Sequence, residues 1–210
     1  MLNSKVLGEI IIKNLWLAFK IPFLVSMGMM VLAAMLFPTA GLNGTEASRP
    51  IEMVISFVGV ILMVPILAPE QDESIRSSVA CRKVGIVNIY FIRMIMALIL
   101  IVGFVCAYCI FLNMNECTIL PYVIWGGVCS AVFIGSIGFF VGAVSGNTIN
   151  GLLASTFYYI CNYGAKEKLG VFYLFRMSEG ELSGKTWSFV VGILLILGAF
   201  LWQSWNRGCC

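Results

Sequence analysis

The sequence predicts an all-α membrane protein with six transmembrane helices, and composition is the first reason. Hydrophobic residues make up 60% of the 210 residues, charged residues make up 11%, and the mean hydropathy is +0.99. In water such a chain would expose far more apolar surface than a soluble protein does. The second reason is pattern, because the charges cluster between long apolar runs. We therefore expect a single transmembrane domain over residues 1–210.

The apolar runs place the six spans at about residues 15–37, 51–68, 94–112, 120–144, 146–163 and 187–205. Residues 1–20 combine Lys5, Lys13 and Lys20 with apolar residues, which predicts an amphipathic helix in the membrane interface. No small-residue cleavage site follows the first apolar run, so it is expected to remain as a span. Trp187 and Trp205 stand near the two ends of the last span, as an aromatic belt requires.

The longest charged segment between two early spans is the loop of residues 69–93. It begins with three acids and carries Arg82 and Lys83 further on, which is the charge order that a short helix prefers along its dipole. Ile75 and Val79 would give that helix an apolar seam. Two interpretations stay open: a cytoplasmic helix that docks onto another protein, or a solvated loop that only connects two spans.

The fourth and fifth spans have unusual compositions. Gly135, Gly138 and Gly142 in the fourth span include a GxxxG step, which permits close helix contact. The fifth span is rich in Asn, Ser and Thr, so it must be shielded by neighbouring helices or face a water-filled path. The next segment, residues 164–186, has an apolar core too short to cross lipid, and we expect an external surface helix or a re-entrant helix there.

The distribution of Lys and Arg sets the orientation. With both termini and the 69–93 loop in the cytoplasm, eight basic residues lie inside and five lie outside. The expected location is a plasma membrane, of bacterial type, which the chain crosses several times.

Several chemistries are disfavoured by the residues that the chain contains. It has no histidine, and its cysteines lack the paired spacing of a zinc site, so no catalytic residue and no metal site are expected. Glu52 lies at the border of the second span, and this leaves no acid deep inside a span for proton-driven transport. Residues 180–186 resemble a P-loop, but only three residues separate the two glycines. An enzyme is not expected, and the net charge of +3 gives no reason to expect nucleic-acid binding.

The order of these elements resembles a type 2 ABC exporter permease. The matching features are the amphipathic amino-terminal helix, six spans, an acid-led loop after the second span, and a surface segment before the sixth. The join Gly146–Ala154 is similar to the segment between the fourth and fifth spans of that family.

The resemblance implies a dimer, either with a second copy or with a paralogue, that binds cytoplasmic ABC ATPase subunits. ATP and Mg²⁺ would be held by those subunits and not by this chain. The loop would form the coupling helix that contacts the ATPase through Glu70, Asp72, Glu73, Ser74, Arg76, Arg82 and Lys83.

A hydrophobic or amphipathic substrate, for example an antimicrobial peptide or a drug, fits a chain without a large external domain. The predicted substrate path comprises Trp125, Asn147, Asn150, Phe157, Tyr158 and Tyr159. Ordinary packing or anchoring in the bilayer interface is the alternative role for the aromatic members. The alternative function is a non-transporting membrane scaffold, immunity protein or regulatory subunit that holds a cytoplasmic partner through the same loop.

Overall fold

The computed structural model describes residues 4–71, 86–180 and 184–207, and all regular structure within these ranges is helical. The predicted all-α class is confirmed for this part of the chain. The α-helices are α1 (Ser4–Leu36), α2 (Gly44–Met53), α3 (Val58–Met63), α4 (Ile86–Met114), α5 (Pro121–Ser145), α6 (Thr148–Ala165) and α7 (Lys185–Arg207). Short 3-10 segments occupy Ile55–Phe57, Val64–Gln71, Lys166–Phe172 and Met177–Glu179.

Five stretches of these ranges are long and apolar enough to cross a membrane. They are Ala18–Leu36, Gly44–Pro69, Ile89–Met114, Pro121–Ser145 and Lys185–Trp205. Helices of this length and composition are typical of a membrane-embedded protein. The predicted fifth span is occupied by α6, whose 18 residues do not belong to this set of five.

The first helix is longer than the sequence predicts. The interface helix of residues 1–20 and the first span were predicted as two elements, but α1 runs without a break from Ser4 to Leu36. Residues 4–20 contain no proline and only one glycine, Gly8, so nothing in them stops a helix. The lysines mark a change in composition along α1 and not the end of a helix.

The second span is irregular, since α2 and α3 are joined and followed by 3-10 turns. Pro50, Pro65 and Pro69 each lack a backbone N–H, so the regular hydrogen-bond ladder is interrupted at several points. β-Branched residues on either side of the breaks also favour the α-helix less than leucine does. The result is a span whose backbone carbonyl groups need partners from other elements.

Helix α5 lies at the centre of the bundle and packs against α3, α6 and α7. Glycines make these contacts close: a Cβ on Gly135 would lie 2.6 Å from the carbonyl oxygen of Gly59 on α3. One helical turn further along α5, a Cβ on Gly138 would overlap Ser155 and approach the Gly151 carbonyl, both on α6. The small residues of the fourth span therefore serve contacts within this chain.

The bundle has two ends that carry different segments. At the loop end, Gln71 Nε2 donates to the Gly146 carbonyl at 3.3 Å, beside the turn between α5 and α6. At the cap end, residues 166–180, here called the cap segment, lie between α6 and α7. Helix α6 runs antiparallel to α5 from the loop end to the cap end, where the Tyr163 and Phe175 rings are 4.9 Å apart.

Candidate functional site

A buried ion pair beneath the cap segment is the most polar feature of the described bundle. Glu52, on α2, and Lys185, the first residue of α7, meet at 2.5 Å between Oε1 and Nζ. Their side chains are 0% and 4% exposed respectively. Ionisable residues buried in this way within a membrane protein are costly, and they commonly mark functional positions.

Both charges of this pair have further partners. The Glu52 carboxylate accepts the backbone N–H of Met177 at 3.0 Å and that of Ser178 at 2.9 Å. The Lys185 ammonium donates to Ser130 Oγ at 2.7 Å and to the carbonyl of Leu174. A buried pair is tolerated only where such hydrogen bonds replace the water that each charge has lost. The pair therefore ties α2, α5, the cap segment and α7 together.

The sequence predicts Glu52 at the border of the second span, whereas the structure places it within the apolar stretch Gly44–Pro69 and buries its side chain. Helix α2 begins at Gly44, so Glu52 lies in its last turn, and the cap segment folds over it. Lys185 was predicted to be an external loop residue, but it is buried as the counter-ion. Since a buried acid is present, its absence can no longer be used as an argument against proton-driven transport. This acid is, however, paired with the Lys185 ammonium.

Part of the cap segment is packed into the bundle, and it forms two short 3-10 segments where the sequence predicts one surface or re-entrant helix. Leu174, Phe175 and Met177 are buried, with 3-10 turns on either side. Asn162 of α6 accepts the Leu174 N–H at 2.8 Å through Oδ1. The apolar core predicted as a helix ends a 3-10 segment and continues into a turn, and side chains of α2, α6 and α7 satisfy backbone groups there.

Tyr173 is a residue of the cap segment whose pKa is shifted by its surroundings. Burial, the Glu179 carboxylate and the Glu52 carboxylate, in that order, raise the pKa of the Tyr173 phenol above its ordinary value. The phenol therefore stays protonated at neutral pH.

The predicted ATPase-contact residues fall almost entirely outside the described residues. These are the side chain of Glu70 and the residues Asp72, Glu73, Ser74, Arg76, Arg82 and Lys83. Two residues near the ends of the predicted loop are described, Gln71 and Arg93. Gln71 contacts Gly146, as noted above, and Arg93 on α4 is 3% exposed, with Nη1 3.0 Å from the Ile66 carbonyl oxygen.

The six residues of the predicted substrate path do not come together on one surface of the chain. Asn147 lies at the loop end, where its Oδ1 accepts the Ile149 N–H at 2.9 Å and caps α6. Trp125 is on α5 and packs against Phe189 of α7. Of the remaining members, Asn150 and Phe157 are exposed.

The two tyrosines of the predicted path have structural contacts instead. Tyr158 donates its hydroxyl to the carbonyl of Phe172, and Tyr159 donates to the carbonyl of Met53. Both rings also pack against aromatic residues, among them Phe133 and Phe175. They attach α6 to the cap segment and to the second span, which is the packing role that the sequence left as an alternative.

No protein-family model matches the chain, and no curated protein or solved structure is significantly similar to it. Among the described residues no group of three or more His, Cys, Asp or Glu could hold a metal ion. The function is therefore inferred from the chain's own residues.

Proposed function

We propose that the chain is the transmembrane permease subunit of a type 2 ABC exporter, driven by ATP that separate cytoplasmic subunits hydrolyse. One observation carries the proposal: Gln71, which lies between the loop acids Glu70 and Asp72, contacts the backbone of Gly146 in the turn between α5 and α6. The base of the charged loop is thereby attached to two further helices. A force applied to such a loop reaches the bundle through packed, hydrogen-bonded elements.

In this proposal α6, the predicted fifth span, also crosses the membrane, and this brings the number of crossings from five to six. It is 18 residues long, about 27 Å at the helical rise of 1.5 Å per residue. Two of its polar side chains, Ser155 and Asn162, are buried and hydrogen-bonded, so they would not face lipid. Both termini and the loop end would then face the cytoplasm, and the cap segment would face outward.

The substrate is proposed to be hydrophobic or amphipathic, and its path to lie between two copies of the chain or between the chain and a paralogue. Exposed apolar side chains of α6, such as Phe157 at 70% exposure, supply a surface of the required chemistry. Of the predicted path residues on α6, the exposed Asn150 and Phe157 would contact the substrate. Tyr158 and Tyr159 would instead hold the cap segment and the second span in place.

The test is copurification from membranes in mild detergent or nanodiscs, followed by ATPase assay of the bound partner. We expect an ABC ATPase to copurify, and Asp72→Lys with Glu73→Lys to abolish the stimulation of its turnover by this chain. The repulsion of like charges should disrupt the contact, and single-site losses of about tenfold or more are typical when a charged contact is reversed. Stability of the purified chain should be unchanged.

Glu116→Lys is the matched control, because it reverses an exposed charge at the cap end. It should leave ATPase stimulation intact. Normal stimulation and assembly in the Asp72 and Glu73 variant would contradict the proposal.

The packed cap end favours a second candidate, a non-transporting scaffold, immunity protein or regulatory subunit. The ion pair and the hydrogen bonds from Asn162 and Tyr158 fasten that end to the bundle. A copurifying soluble protein without ATPase activity, bound through the same loop acids, would establish this second function.

A further inference from the structure

The end of the second span contains a carbonyl group whose local donor is missing. Residues Val64–Gln71 form a 3-10 segment, in which each carbonyl accepts from the N–H three residues later. For Ile66 that residue is Pro69, which has no N–H. Ile66 is 1% exposed, so water cannot take the place of the missing donor.

Arg93 supplies a hydrogen bond at this position from another helix. Its Nη1 donates to the Ile66 carbonyl oxygen at 3.0 Å, and the residue is 3% exposed. The sequence predicts Arg93 as the last residue of the 69–93 loop, but α4 begins at Ile86, so Arg93 lies in α4, while Ile66 lies in the 3-10 segment on the other side of the loop. The bond therefore connects the two sides of the loop near its base.

We propose that Arg93 is a positioning residue: it fastens the base of the loop by donating the hydrogen bond that Pro69 cannot donate. The guanidinium suits this task because its N–H donors are fixed in a planar fork. The fastened base would also transmit motion of the loop to α4. This second role of Arg93 rests on the proposed function.

The test is a rescue experiment. Arg93→Met removes the donor and should lower the apparent melting temperature of the purified chain by at least about 2 °C, since a buried carbonyl is left without a partner. Adding Pro69→Ala introduces an N–H at residue 69 within reach of the same carbonyl. The double variant should recover at least half of the loss.

Pro65→Ala is the matched control. This variant also introduces an N–H into the same 3-10 segment. That N–H would donate to the carbonyl of Leu62, three residues earlier, and not to the carbonyl of Ile66. It should not rescue Arg93→Met. If Arg93→Met alone does not fold, the yield of folded protein replaces the melting temperature, with the same expected order among the variants.

Three results would overturn the inference: no effect of Arg93→Met, no recovery with Pro69→Ala, or equal recovery with Pro65→Ala. ATPase stimulation is the separate second readout and should follow the same order. If the wild-type chain binds no ATPase while the rescue in stability occurs, the proposed function fails and the positioning role of Arg93 stands.

Discussion

Glu52 and Lys185 are each other's counter-ion, so removing either one leaves a charge buried without a partner. Removing one partner therefore costs more free energy than replacing both residues by neutral ones. In buried sites the loss of one partner costs about 3–5 kcal/mol, whereas replacing both partners by neutral groups is often close to neutral. The hydrogen bonds from Met177 and Ser178 to the two carboxylate oxygens oppose full compensation here, because a glutamine keeps only one acceptor oxygen and its NH₂ cannot accept the second N–H.

A double-mutant cycle at this pair gives the first prediction. Glu52→Gln and Lys185→Met should each lower the free energy of unfolding by about 3–5 kcal/mol. The double variant should lose clearly less than the sum of the two, with a coupling energy of about 2 kcal/mol or more. Reversible unfolding in detergent micelles or bicelles measures all four corners of the cycle.

Two exposed charges provide the control for that cycle. Glu116→Gln and Lys168→Met change the same kinds of charge at exposed positions of the cap end. Their effects should be small and additive. Additive losses at Glu52 and Lys185 as well would mean that the two residues do not form a coupled pair.

At the level of the helices, the close approach of α3 to α5 depends on Gly59. A Cβ there would overlap the backbone carbonyl of Ala131, which cannot move aside as a flexible side chain can. Such contacts hold membrane helices together by van der Waals packing, since lipid offers no hydrophobic gain for association.

Gly59→Ala is therefore expected to destabilise the bundle by about 1–3 kcal/mol, the usual cost of overpacking. The matched change is Gly103→Ala on α4, where a Cβ would meet nothing within 4 Å. Since alanine favours the helix more than glycine does, Gly103→Ala should be neutral or stabilising by up to about 1 kcal/mol. Equal destabilisation by both changes would contradict the assignment of the Gly59 effect to the contact between α3 and α5.

The helices were predictable from the sequence to different degrees. The apolar runs of α4, α5 and α7 are long and uninterrupted, so their positions follow from composition alone. The turn at Gly146–Asn147 was also predictable, because glycine readily adopts a left-handed conformation and asparagine commonly caps a helix. In the structure Gly146 has φ +67° and Asn147 caps α6. The folded path of the cap segment does not follow, because its backbone groups are satisfied by Glu52, Asn162 and Lys185, which are distant in sequence.

The buried ion pair shows the same limit for the candidate site. An acid at the border of the predicted second span and a lysine directly before the last span were the available signals. Neither signal identifies its partner, because the pairing is fixed only when α2 and α7 pack around Ser130. The contact of Arg93 with Ile66 was likewise hidden, although Pro69 marked a missing donor.

For the whole molecule, the number of crossings can be tested by labelling from the two sides of the membrane. In a variant without the eight native cysteines, we expect Gln71→Cys and Asn150→Cys to react from the cytoplasmic side. Glu116→Cys and Lys168→Cys should react from the outer side. All four positions are exposed, so an impermeant maleimide applied to intact cells and to inverted vesicles separates them.

A permeant maleimide that labels all four variants is the control for access. Labelling of Asn150→Cys and Lys168→Cys from one and the same side would contradict a sixth crossing by α6. Labelling of all four from the sides opposite to those expected would preserve the number of crossings and reverse the orientation.

The distance in sequence between Glu52 and Lys185 has a consequence for biosynthesis. At about 5–20 residues per second, Glu52 leaves the ribosome on the order of ten seconds before Lys185 does. During that interval the second span carries an acid without its counter-ion, and insertion of such a helix into lipid is disfavoured. We therefore expect the last helix to complete the insertion of the second, and chains truncated before Lys185 to be degraded faster than the full chain in a pulse-chase measurement.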